Sequence, residues 1–200
     1  MYNYLIFRNF AGKQMISPMN ERICLYLTLP PYLAQWYAHE CLEIEYKDKE
    51  IVPADTYQPL APVTIPRGSQ ESRILQCFLK KKPQQFVKEP EDANIALVIP
   101  YFHNKDPFYY NYLGKYGREK LIDAIRTRFQ LQLWEELHTF KNALSRQDNA
   151  IFAFMEVHGI ECNETNWNAI AKIYQRLRNA YYKQQSRKNI KNSHREKQPK

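Results

Sequence analysis

Lys172, Arg176, Asn179 and Lys183 follow one another at intervals of four, three and four residues, which places all four on one face of an α-helix. Two ammonium groups, a guanidinium and a carboxamide then form a stripe of hydrogen-bond donors. That chemistry suits phosphate oxygens, guanine edges and adenine edges in a major groove. Arg178 flanks the stripe, and Arg187 and Lys188 continue the basic run beyond it. These seven are the candidate nucleic-acid-binding residues. No Asp or Glu occurs from Thr165 through Arg195, whereas a helix face that is merely solvated more often mixes signs.

The excess charge is terminal. Of the net +8, residues 1–116 contribute +1, and residues 172–200 hold ten Lys and Arg against the single acid Glu196. Each cation that meets a phosphate releases condensed counterions, a gain that does not depend on base sequence. The competing reading is a solvated helix face followed by a solubilising tail.

Catalytic signatures are missing from the sequence. There is no Gly-x-x-x-x-Gly-Lys-Ser/Thr, Gly-x-Gly-x-x-Gly, Gly-x-Ser-x-Gly or His-Glu-x-x-His. His39, His103, His138, His158 and His194 lack ligand spacing and read as surface or core-edge residues, so no metal, no cofactor and no enzymatic activity are expected. Cys24, Cys41, Cys77 and Cys162 form no Cys-x-x-Cys pair and read as reduced, mostly buried thiols. Arg67-Gly68-Ser69 has the residues of a phosphate-holding turn, and equally those of a plain strand-to-helix turn. The aromatic run Phe108 to Tyr116 has rings that could stack on bases, or that pack a core edge or a protein partner.

The elements that must position these residues are mixed. Arg22 to Leu29 reads as a strand stopped by Pro30-Pro31, after which Tyr32, Leu33, Trp36 and Tyr37 share a helical face. Glu43 to Tyr46 reads as an edge strand and Pro53 to Pro62 as an exposed connection. Val63-Thr64-Ile65 is a short strand, and Ser69 caps a helix bearing Ile74, Leu75, Phe78 and Leu79 and ended by Pro83. Ala93 to Phe102, nearly all apolar, should be a central strand covered on both faces. Arg118 to Phe140 is helix-rich, with an alternation at Phe129-Gln130-Leu131-Gln132-Leu133 that leaves open one helix or two.

A helical hairpin follows. Ile151, Phe154, Met155 and His158 share a face ended by Gly159, and Thr165 or Asn166 caps a second helix docked through Trp167, Ile170, Ala171, Tyr174, Leu177 and Tyr181. The fold class is therefore α+β or α/β: a small, mostly buried sheet with covering helices, then an all-helical C-terminal module and a basic disordered tail. The domains expected are 1–116 (mixed), 117–183 (helical) and 184–200 (tail). No apolar run reaches the roughly 20 residues of a membrane span, and the first residues lack a secretory leader. The functional expectation is a cytoplasmic, non-enzymatic DNA-binding accessory or regulatory protein, DNA being favoured over RNA as partner. The alternative is an assembly component that binds a protein through its aromatic-rich N-terminal domain and has no membrane contact.

Overall fold

The computed structural model describes residues 22–45, 58–83, 90–140 and 147–196, together with two short strands at 7–8 and 14–15. In chain order the elements are β1 (Phe7–Arg8), β2 (Gln14–Met15), β3 (Cys24–Leu27), α1 (Pro31–Glu45), β4 (Pro62–Thr64) and α2 (Gln70–Phe78). They continue with β5 (Leu79–Lys80), β6 (Ile95–Val98), β7 (Tyr112–Leu113), α3 (Lys115–Phe140), α4 (Gln147–Val157) and α5 (Glu164–Glu196). The chain is an α+β protein.

The apolar run predicted to be central is central. β6 lies between β3, to which it is antiparallel, and β4, to which it is parallel. Its register puts Leu97 between Leu25 and Val63, so one row across the sheet consists of buried aliphatic side chains. Past the last rung, Asn94 takes over from the ladder: its Oδ1 accepts the Leu29 N–H at 2.9 Å and its Nδ2 donates to the Leu29 carbonyl at 2.7 Å. Pro31, whose missing N–H is no loss at a helix start, begins α1.

α1 is enclosed nearly all round. Leu33, Ala34, Trp36 and Tyr37 have no measurable exposure, and His39, Glu40 and Cys41 are buried beside them. The helix therefore carries an ionisable pair into the interior, which matters below. Glu43 to Glu45 belong to this helix rather than to an edge strand, because extending an existing helix costs far less than starting a strand with no partner. Tyr46 and residues 53–57 of the 53–62 connection lie outside the described residues.

Ser69 caps α2 as expected, its Oγ accepting the Ser72 N–H at 3.1 Å. The helix stops at Phe78, well before Pro83, since Leu79 and Lys80 pair with β7 instead. Lys105 Nζ closes the helix end by donating to the carbonyls of Gln76, Cys77 and Leu79.

α3 is one continuous helix. Leu121, Ile125, Phe129, Leu133 and Leu137 form a buried i, i+4 ridge. The alternation near Phe129 does not break it: Leu131 is exposed, and Gln132 turns to two carboxylates, so Phe129 and Leu133 keep the helical period. Phe129 also fixes the helix packing, meeting Tyr32 and Trp36 of α1 at 5.2 Å and Phe154 of α4 at 5.9 Å between ring centroids. The buried cluster runs without interruption from Leu25 to Tyr174.

The α4–α5 connection turns on Gly159, whose φ is +61°. Asn163, not Thr165 or Asn166, caps α5: its Oδ1 accepts the Asn166 N–H at 2.8 Å, which frees Asn166 to be buried and to donate to Gln35 and to the Glu161 carbonyl. α5 also runs on to Glu196, so residues 184–196, expected to be disordered, are helical. Propagation of a nucleated helix through Lys, Gln and Arg, all good helix formers, accounts for the difference.

A Cβ on Gly159 would lie 2.6 Å from His39 Cδ2, and the backbone there is left-handed. Gly159→Ala is expected to cost about 1–3 kcal/mol in urea unfolding. Ser69→Ala, which removes only a cap, should cost about 1 kcal/mol.

Candidate nucleic-acid interface and a buried ionic network

α5 presents two chemically opposite faces. Ile170 and Tyr174 are buried against the rest of the chain, with Trp167, Ala171, Leu177 and Tyr181 half-buried beside them. On the other face Lys172, Arg176, Asn179, Lys183 and Arg187 are all exposed. At the helical rise, Lys172 and Arg187 stand about 22 Å apart along the axis. The stripe read from the spacing is thus a continuous outward surface, and none of these five side chains has a hydrogen-bond or ion-pair partner among the described residues.

The other two candidates differ. Arg178 does not join the stripe: its guanidinium lies over the rings of Tyr174 and Tyr182, 5.9 and 6.0 Å from their centroids, on the flank that faces the core. Lys188 lies in α5, beyond the residues whose side chains are described. The face is held in place by rings. Trp134 of α3 stacks on His138 at 4.7 Å and meets Tyr181 of α5 at 5.2 Å and Tyr174 at 6.1 Å.

Elsewhere, Phe108, Tyr109 and Tyr116 of the aromatic run are 70%, 60% and 59% exposed, and Tyr101 near them 67%. Lys120 lies over the Tyr116 ring at 5.4 Å and Lys81 over Tyr110 at 5.8 Å. Arg67-Gly68-Ser69 forms the strand-to-helix turn, Gly68 supplying a φ of +78°. Of the four thiols only Cys41 is buried, with burial pushing it up to about 12; Cys77 and Cys162 are exposed, against the expectation of mostly buried cysteines.

A site of another kind was not read from the sequence. His158, expected at a surface or core edge, is buried between two carboxylates from different helices. Its Nδ1 is 3.0 Å from Oε1 of Glu40 on α1, and its Nε2 is 2.9 Å from Oε2 of Glu136 on α3. Gln132 Nε2 donates to both Glu40 and Glu136, at 3.2 and 3.1 Å. Arg128 lies 3.5 Å from the other Glu40 oxygen and 4.0 Å from the buried Glu71 of α2, with its guanidinium over the Trp36 ring. The chain Glu71–Arg128–Glu40–His158–Glu136 therefore ties α1, α2, α3 and the end of α4 together.

Burial alone would lower the His158 pKa, but hydrogen bonds to Glu136 and Glu40, and their charges, push it up to about 9. Burial likewise would raise the Glu40 carboxyl. Hydrogen bonds from His158 and Gln132, with the charges of His158 and Arg128, hold it below its usual value instead. At neutral pH the imidazole is a cation donating from both nitrogens. The one sequence signal for this site was a histidine at the i+7 position of an apolar helix face, a place where an unpaired ring would be costly.

No protein-family model, curated protein or solved structure matches the chain.

His158 has a folded pKa above its ordinary 6.5, so its contribution to stability is complete below about pH 6.5 and is lost as pH rises through about 9. Glu40 acts in the opposite sense, its contribution present above 4.5 and lost as pH falls through its lowered folded value. The urea midpoint should accordingly decline between pH 6.5 and 9. His158→Gln should flatten that alkaline limb and cost about 3 kcal/mol at neutral pH, because it leaves the buried Glu40 and half-buried Glu136 carboxylates without the imidazolium between them.

Proposed function

We propose that this chain is a non-catalytic nucleic-acid-binding protein, an accessory or regulatory factor that takes duplex DNA in preference to RNA through the outer face of α5. The observation that carries this reading is the exposed row Lys172, Arg176, Asn179, Lys183 and Arg187 on a helix whose opposite face is docked. A helix held by one side and cationic on the other has the shape and chemistry that a major groove accepts. Lysines and Arg187 would meet phosphates, and Arg176 and Asn179, near the middle of the row, are the residues suited to base edges. Arg178, spent on two tyrosine rings, is a positioning residue in this scheme, and Lys188 adds charge on the same helix.

A cytoplasmic location goes with this reading, and two exposed thiols suit a reducing compartment. No helix among the described residues is long and apolar enough to cross a membrane.

One observation favours a second reading. The exposed rings of Tyr101, Phe108, Tyr109 and Tyr116 lie far along the chain from the basic face and resemble the composition of protein–protein contact surfaces. A protein partner there would make the chain an assembly component, with or without nucleic acid.

Fluorescence anisotropy of the full chain with labelled duplex, single-stranded DNA and RNA at two salt concentrations separates these readings. Duplex binding should weaken steeply with salt, and Lys172→Glu with Arg176→Glu should reduce affinity at least 10-fold while the melting temperature stays unchanged. Lys183→Ala should lower the salt slope by about 1. Binding that is indifferent to all three changes would remove α5 as the reader, and no binding at low salt would leave the assembly component.

A further inference from the structure

Donor atoms of His39, Glu40 and His158 lie within 4.8 Å of one another, and all three residues are buried. We propose that these three side chains form a structural Zn²⁺ site that clamps the end of α4 onto α1. It stands apart from the basic face of α5 and does not depend on that face binding anything.

The donor set is two imidazoles and a carboxylate, a combination zinc takes at about 2.0–2.2 Å with a water completing the tetrahedron. Calcium and magnesium demand six or more oxygens, which this cluster does not offer. The arrangement around His158 is the one metal-binding histidines use. Its Nδ1 meets Glu40 Oε1 at 3.0 Å, and its Nε2–H is donated to the Glu136 carboxylate at 2.9 Å. A carboxylate on the far nitrogen orients the ring and strengthens it as a ligand. Glu40 is held in a matching way: Arg128 sits 3.5 Å from Oε2, while Oε1 accepts from Gln132 Nε2 at 3.2 Å and meets His158 Nδ1 at 3.0 Å.

Charge balance points the same way. Glu40, Glu71 and Glu136 oppose the single guanidinium of Arg128 within the chain of contacts, an excess of two negative charges before the imidazoles are counted. A divalent ion cancels them. Metal entry is then an exchange: Zn²⁺ bonds to Nδ1 and to Glu40 Oε1, the Nδ1 proton leaves to solvent, and the Nε2–H stays on Glu136. His39 closes the third side. It packs on Gly159 in the turn that follows α4, so the ion would join the first helix to the helical hairpin at the point where the hairpin turns.

The test uses the full chain with Cys77→Ser and Cys162→Ser, which removes two exposed thiols that compete for zinc. After chelator treatment it is titrated calorimetrically with Zn²⁺, and with Co²⁺ for its visible spectrum. One ion per chain is expected, with proton release and an affinity that rises with pH because the ligands must be deprotonated, and intense Co²⁺ bands of tetrahedral coordination. His39→Ala leaves the Glu40–His158–Glu136 bonds in place and should lower affinity by on the order of 100-fold or more, while Glu136→Gln should lower it about 10–100-fold. His39→Gln preserves bulk against Gly159 if the alanine variant does not fold. Zn²⁺ should raise the melting temperature of the parent chain and not that of either His39 variant. Absence of binding, a Co²⁺ spectrum like that of the hydrated ion, or equal affinity in parent and His39 variants would overturn the proposal.

Discussion

The carboxylate of Glu40 lies on a helix that is enclosed almost all round. Bringing a charge out of water costs several kcal/mol unless it is paired and hydrogen-bonded. Two neighbouring elements answer that demand: α3 supplies Arg128 and Gln132, and the end of α4 supplies His158, which in turn needs Glu136. Apolar contacts alone would let these helices slide over one another with little loss. A chain of directional bonds through five ionisable side chains allows one arrangement, because a shift of any helix leaves a buried charge unpaired. The aromatic core built on Phe129 supplies the area, and the network selects the register.

That register decides where α5 lies. The α4–α5 turn is fixed by His158 on one side, by the left-handed Gly159, and by Asn163 and Asn166, whose side chains reach the turn and Gln35 of α1. From there α5 leaves in a set direction, and its middle is held by the rings of Trp134 and His138 against Tyr181. The basic stripe is therefore presented on a braced helix. For a groove-binding face this is an advantage, since a surface already rigid loses less entropy on binding.

Much of the local structure was legible along the chain. The central strand, the Ser69 cap, the buried faces of α1 and α5 and the turn at Gly159 each depend on neighbours within a few residues, and periodicity reports such neighbours directly. Local misreadings had local causes: Glu43 to Glu45 alternate like a strand but follow an established helix, and Gln132 interrupts an apolar pattern because it serves two carboxylates. The ionic network was not legible. His158 lies 118 residues from Glu40 and 22 from Glu136, and no spacing rule links such positions.

By itself the sequence determined the charge map, most of the element types and the donor stripe of α5, because these follow from residue type and from local periodicity. Only the tertiary structure decided that Arg178 turns back onto tyrosines, that His39, Glu40 and His158 meet, and that Glu136 rather than a sequence neighbour holds the histidine. Those outcomes depend on which faces of remote helices pack together. Packing is a property of the whole core, and a charge finds its partner only after the core has closed around it.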